Sequence, residues 1–234
     1  MANRLYQYSI INALMDGVAT GGIELSKLQQ FGNNGLGTFE SMDGEMTMID
    51  SVAYQICGDG SMKKVTPSTL MPFAQVTRFK PTMSLSSVSL PDKEAVYRLA
   101  EEQFPHATNL YLALRLEATF ASIKVRAVRG QTYKGQPLAE LADSQSVNTY
   151  KDIKGTVFGF RSPPYSQGIS VAGGHLHFVS EDRACGGHVL ELEAMEAEMS
   201  GAVIKDIELE LPETPEFNDA KLELDHGGIG RVEG

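Results

Sequence analysis

Three of the chain's five histidines lie within a short stretch, in Gly174-His175-Leu176-His177-Phe178 and Gly186-Gly187-His188-Val189-Leu190. On a β-strand, side chains two apart share a face, so His175 and His177 project together. The segment between the blocks, Ser180-Glu181-Asp182-Arg183-Ala184-Cys185-Gly186-Gly187, is polar and ends in glycines, as a hairpin connection does. A symmetrical hairpin sets His188 directly opposite His177, with Cβ atoms ~5 Å apart on one face. Three neutral imidazoles meeting there, with a fourth position open, form the donor set of a catalytic zinc; a closed structural site more often uses thiolates. Cys185, in the turn, is expected to point away. The bland alternative is three unrelated histidines on a polar strand face. His106 and His226 stand alone and are given no role.

The elements that must carry these residues can be read from periodicity. The first fifty residues read as helical and then turn-rich: Ile10, Ile11, Leu14 and Met15 have helical spacing until Gly17, and Ile23 to Leu28 reads as a second short helix. Gly35-Leu36-Gly37-Thr38-Phe39 and Met46-Thr47-Met48-Ile49 read as strands around the turn Asp43-Gly44, with a further strand from Val52 to Cys57. The clearest helix runs from about Pro91 to Gln103, with Ser89 as N-cap and Pro91 in the first turn. Tyr111 to Val128 alternates as one long strand or two bent ones. From Val157 onward nearly everything reads as β structure. Val189 to Glu193 and Ile207 to Leu211 alternate apolar with acidic residues, the mark of strands with one wet face. The expected fold is α+β, with mixed or antiparallel sheets, a few helices, and the metal site on a β-hairpin in the C-terminal half. It is one domain over 1–234, or two packed lobes at about 1–150 and 151–234.

Composition sets the outer limits. The chain has 234 residues, 42% hydrophobic and 21% charged, enough to bury a core without staples. Its two cysteines, Cys57 and Cys185, are far apart and form no disulfide framework, which suits a reducing compartment. No stretch reaches the ~20 apolar residues of a membrane span, and the N-terminus lacks the apolar core of a signal peptide, so a cytoplasmic location is expected. The formal charge of −10, concentrated between Glu191 and Asp225, would repel phosphate backbones and argues against a nucleic-acid partner.

Two families share parts of this pattern. His175-x-His177 followed by Glu181 is similar to the first motif of the cupins, metal-binding β-barrels in which Glu181 would be a ligand and a distant histidine would complete the site. A more extensive likeness starts at Tyr6-Gln7-Tyr8-Ser9-Ile10-Ile11-Asn12-Ala13-Leu14-Met15. It continues through Gly35-Leu36-Gly37-Thr38-Phe39, Met42-Asp43-Gly44-Glu45-Met46 and Gly155-Thr156-Val157-Phe158-Gly159-Phe160 to both histidine blocks. Taken in order, these segments resemble the α-acetolactate decarboxylases over nearly the whole chain. The resemblance implies a dimeric enzyme with mixed sheets that converts 2-acetolactate to acetoin, with zinc on His175, His177 and His188. It further implies that Glu45 lies near the metal, that Thr38 and Arg126 contact substrate, and that Glu233 in the tail supplies another carboxylate. Such a substrate is a β-keto acid carrying its own electron sink, so neither thiamine nor pyridoxal is called for. The competing readings are a cupin-like iron or manganese dioxygenase or isomerase, and a non-enzymatic, zinc-stabilised β-rich binding protein.

Overall fold

The computed structural model describes residues 1–142 and 144–223. In its first half, β1 (Arg4–Tyr8), α1 (Ile11–Met15), β2 (Ile23–Glu24) and α2 (Leu25–Leu28) lead into β3 (Asn34–Thr38), β4 (Glu45–Ile49), β5 (Val52–Ile56), β6 (Met62–Lys64), β7 (Leu70–Met71) and β8 (Phe73–Thr77). There follow β9 (Met83–Leu90), α3 (Lys93–Gln103), β10 (Tyr111–Ala127), α4 (Leu138–Ala142) and β11 (Ser146–Ser162). The described chain then runs through β12 (Gly173–Ser180), β13 (Gly186–Ile204), β14 (Asp206–Glu210) and α5 (Pro215–Asp219).

Two sheets dominate. The first has the order β14-β1-β8-β3-β4-β5-β6, and the second β10-β11-β12-β13-β9. Pairing in the first is antiparallel except between β1 and β14, which run parallel with Arg4 opposite Asp206. In the second sheet β13 also pairs with β10 along most of its length, so β10, β11, β12 and β13 close into a ring. Inside that ring lie Leu114, Leu116, Phe120, Ile123, Phe178 and Val189, with α3 packed against them through Val96 and Ala100. The two sheets meet through a separate cluster, where Leu5, Leu36 and Ile49 of the first touch Ala113, Phe158 and Phe160 of the second. The expected α+β architecture with mixed sheets and few helices is thus the one formed. Among the described residues, no helix is long and apolar enough to cross a membrane.

Several local expectations need correction. The chain opens with a strand and not a helix; β1 is set in place by β8 on one side and by β14, from the far end of the sequence, on the other. Residues 23–28 split into a two-residue strand and a single helical turn. The long helix starts at Lys93. Its cap is Asp92, whose carboxylate accepts the Ala95 N–H at 2.6 Å, while Ser89 belongs to β9. A charged cap oxygen three residues before that N–H outcompetes the serine placed too early. Tyr111 to Ala127 forms one strand, bent where its register with β13 slips.

The acidic strand Ile207–Leu211 inverts its expected faces. Glu208 pairs with Arg4 at 2.9 Å and Glu210 with Lys27 at 2.7 Å, whereas Ile207 and Leu211 are 45% and 47% exposed. β14 is an edge strand, so its glutamates find cations on its neighbours while its apolar side chains reach past the core. Cys185, by contrast, does point away from the histidine cluster as expected, and is buried in the interior of the strand ring.

Candidate metal centre

The hairpin register is the one the glycine-closed turn dictates: His177 faces His188, Phe178 faces Gly187, and Val179 faces Gly186. Alternation then divides the hairpin's side chains. Leu176 and Phe178 fill the strand ring, and His175 and His177 turn the other way, toward the first sheet, beside their cross-strand neighbours Phe160 and Phe158. His188 emerges on the same side, directly opposite Arg126 of β10. All three imidazoles are buried, with ring centroids 5.0, 5.0 and 5.5 Å apart. One ring nitrogen from each lies within 4.8 Å of the others.

The first sheet closes the chamber from the opposite side. His177 Nδ1 is 2.8 Å from the Met46 carbonyl oxygen, and 3.4 Å from the Thr47 hydroxyl. A carbonyl can only accept, so Nδ1 carries the hydrogen and Nε2 presents its lone pair to the cluster. That Nε2 is 3.2 Å from the Nε2 of His175. Two nitrogens sharing one tetrahedral zinc at bond lengths of ~2.05 Å would be about 3.3 Å apart, so this spacing fits the ion. Protonation is disfavoured as well. Burial, followed by the charges of Arg126 and Lys93, pulls His175 down to about 3. Burial and Arg126 likewise hold His188 well below the usual histidine range. Both rings are therefore neutral near pH 7, the state in which imidazole ligates a metal.

Glu45 reaches the cluster from β4. Its carboxylate is 3.6 Å from His177 Nε2 and 3.9 Å from Arg126 Nη1, and the residue is only 7% exposed. Thr38 sits directly across the β3–β4 ladder from Glu45, where its hydroxyl donates to the Gly44 carbonyl at 2.8 Å and steadies the turn leading into that residue. Arg126 is almost wholly buried and comes within 3.4 Å of Gln145. A pocket brings these groups together: Thr38, Glu45, Arg126 and His175 line it with the apolar Leu14 and Leu138. Thus six of the residues singled out in the sequence, Thr38, Glu45, Arg126, His175, His177 and His188, meet at one place. Glu233 lies outside the described residues. Glu181, which a cupin-like site would need, is exposed at the hairpin turn and is not in the metal-capable group.

Sequence reasoning passed over Met46 and Thr47, which orient His177. The signal was present: in Glu45-Met46-Thr47-Met48 the polar residues share one face, while both methionines enter a different core.

A family model described as alpha-acetolactate decarboxylase matches residues 5–224. The alpha-acetolactate decarboxylase of Brevibacillus brevis is 37% identical over 220 residues, covering 94% of this chain and 77% of that protein. That of Bacillus subtilis strain 168 is 32% identical over 221 residues, covering 94% of this chain and 86% of that one. The crystal structure of the alpha-acetolactate decarboxylase from B. subtilis strain 168 superposes with a TM-score of 0.94 and 31% identity, covering 99% of both chains. A Staphylococcus aureus structure, described as a protein of unknown function similar to alpha-acetolactate decarboxylase, gives 0.91 at 26% identity over 98% of each chain. With sequence and fold both matched nearly from end to end, the chain belongs to the α-acetolactate decarboxylase family, a family of carboxy-lyases.

Proposed function

We propose that the chain decarboxylates 2-acetolactate to acetoin and CO₂ at a zinc ion held by His175, His177 and His188. The observation that carries this reading is the convergence of three buried imidazoles with Glu45 and Arg126 around one pocket. All-nitrogen donors with an open position suit zinc better than the carboxylate-rich sets that favour magnesium or manganese. Bound there, the metal supplies a Lewis acid for the substrate's keto oxygen.

The chain's own residues account for the rest. Arg126 holds the substrate carboxylate with its planar pair of N–H donors, which fixes the bond to be broken. When the C–C bond breaks, CO₂ leaves and the electron pair moves into the adjacent carbonyl, giving an enediolate. Glu45, buried beside Arg126 and His177, delivers the proton to the carbon that lost CO₂. Thr38 and the apolar side chains of the pocket orient the substrate and keep water from the reacting carbon. The protein works as one domain, because β1 and β14 tie the two ends of the described chain into a single sheet. We read it as a cytoplasmic homodimer: two unpaired thiols suit a reducing compartment, and the family resemblance carries the dimer.

The test is acetoin and CO₂ release from racemic 2-acetolactate by zinc-loaded protein, chelated protein and His175→Ala. Metal-dependent acetoin formation that is lost in the variant supports the reading. Folded, zinc-replete protein that forms no acetoin sinks it.

A further inference from the structure

Two consecutive residues in the turn between β3 and β4, Ser41 and Met42, have φ of +60° and +54°, a region that side chains other than glycine seldom occupy. Such strain persists only where the surroundings impose it. Here they do so from several directions. The Ser41 N–H donates to the Ala19 carbonyl at 2.8 Å, and the Ser41 carbonyl accepts from the Gln131 N–H at 2.7 Å. The Gln131 side-chain amide donates in turn to the carbonyls of Gly17 at 2.7 Å and Gln136 at 2.9 Å. The chain leaving α1, the chain leaving β10 and the approach to α4 are thereby knotted onto this one turn. The same three stretches carry Leu14, Val128 and Leu138, which line the pocket at the histidine cluster.

Met42 is the residue that this knot holds in place. Its side chain is buried, lines the same pocket, and packs in one apolar cluster with Leu14, Phe73, Val128 and Leu138. The Gly44 N–H closes the turn onto the Met42 carbonyl at 2.9 Å, and β4 begins at the next residue, Glu45. Met42 is therefore fixed relative to Glu45 by a tight turn and, through Gln131, relative to the strand that carries Arg126. With the substrate's carboxylate on Arg126 and its keto oxygen toward the metal, the methyl groups are left for the apolar wall. Val128 lies two residues beyond Arg126 and shares the pocket with it, so the wall that Met42 builds stands beside the carbon that bears the carboxylate.

We propose that Met42 is a specificity-determining residue: held in the pocket by its tethered turn, its side chain limits the alkyl group on the carboxylate-bearing carbon and favours methyl over ethyl. This rests on the decarboxylase reading. A flexible methionine on a flexible loop would yield to a larger substrate. The tethers on Ser41 remove the backbone's share of that freedom, and the packed cluster removes much of the side chain's, so an added methylene meets a wall that does not retreat.

The experiment uses full-length, zinc-loaded wild type, Met42→Ala, Met42→Gly, Met42→Leu and Val171→Ala. It compares kcat/KM for 2-acetolactate with that for the homologue carrying ethyl in place of methyl on carbon 2. Calorimetry adds the affinities of two acids with no keto group to react, 2-hydroxy-2-methylpropanoate and 2-ethyl-2-hydroxybutanoate. One methylene in a fitted apolar pocket is worth roughly 10- to 200-fold, so wild type should prefer the methyl compound at least about tenfold. M42A and M42G should cut that preference by about fivefold or more, in turnover and in binding alike. Glycine adopts a left-handed φ without strain, so M42G carries the comparison if M42A does not fold. M42L conserves volume and should keep the preference within about threefold. Val171 belongs to the same apolar cluster without lining the pocket, so V171A should leave the preference unchanged. An unchanged preference in M42A and M42G, or an equal shift in V171A, would overturn the proposal. Wild type that binds both unreactive acids but makes no acetoin would defeat the decarboxylase reading alone, since the binding ratio still tests Met42.

Discussion

Gly187 is where the fold of the hairpin and the geometry of the site depend on one missing methyl group. Its φ of +141° lies in a region that other residues enter only at a cost of about 1–3 kcal/mol. A Cβ there would also stand 2.5 Å from the Arg126 carbonyl oxygen and 3.1 Å from the Val125 Cβ. Ordinary contact needs roughly 1 Å more, so β10 and β13 must part at the point where Arg126 faces His188, giving up one or two ladder hydrogen bonds worth about 1 kcal/mol each. Gly187→Ala should therefore cost roughly 2–5 kcal/mol, or about 4–20 °C in Tm for a chain of this size. It should also weaken zinc binding and lower turnover at least tenfold, because a misplacement of that size is costly at a reacting centre. Gly173→Ala is the matched control. Its φ is +90°, but a Cβ there meets nothing within 4 Å, so only backbone strain of about 1–2 kcal/mol is expected, with zinc retained. The assays are thermal unfolding and zinc affinity by chelator competition. A G187A protein that melts within about 2 °C of wild type and holds zinc normally would refute the reasoning, as would equal effects from both substitutions.

Glu45→Gln keeps the shape of the side chain and removes its proton-donating capacity. Turnover of 2-acetolactate should fall by roughly 10²–10⁴ while zinc content stays unchanged, and full turnover in E45Q would remove Glu45 from the proposed proton transfer. The metal-free protein should be acid-sensitive in a defined window. His175 and His188 are harder to protonate in the folded chain than in the unfolded one, where histidine titrates near 6.5. Their contribution to stability is therefore complete above about pH 6.5 and is lost progressively toward about pH 3, where His175 titrates. The slope should reach up to about 1.4 kcal/mol per pH unit for each imidazole, and a Tm that is flat between pH 7 and 5 in chelator would contradict it.

How much of this was legible beforehand depended on the range of the interaction involved. The hairpin was written locally: polar residues and paired glycines between two alternating segments allow one register, so the His177–His188 pair followed from counting along the chain. Arg126 required the β10–β13 ladder, which forms between segments far apart in sequence and contains register slips that defeat counting. The strand at Arg4–Tyr8 was misjudged for the same reason, since what makes it a strand is β8 and the distant β14.

The unequal legibility of the site follows from how it is built. The second sheet supplies the metal donors from one hairpin, where period-two alternation sorts ligand from core. The first sheet supplies Glu45 and the carbonyl that fixes the His177 tautomer, through a contact between sheets that no periodicity encodes. Strand β4 performs both tasks because Glu45 faces the chamber while the next residue's carbonyl lies along the strand within reach of the imidazole. Anything that shifts β4 against β12 must therefore disturb metal orientation and proton delivery together. Loss of both functions from a substitution at the sheet interface, far from any ligand, would be the expected behaviour of such a shared support, and not a sign that the substituted residue takes part in the chemistry.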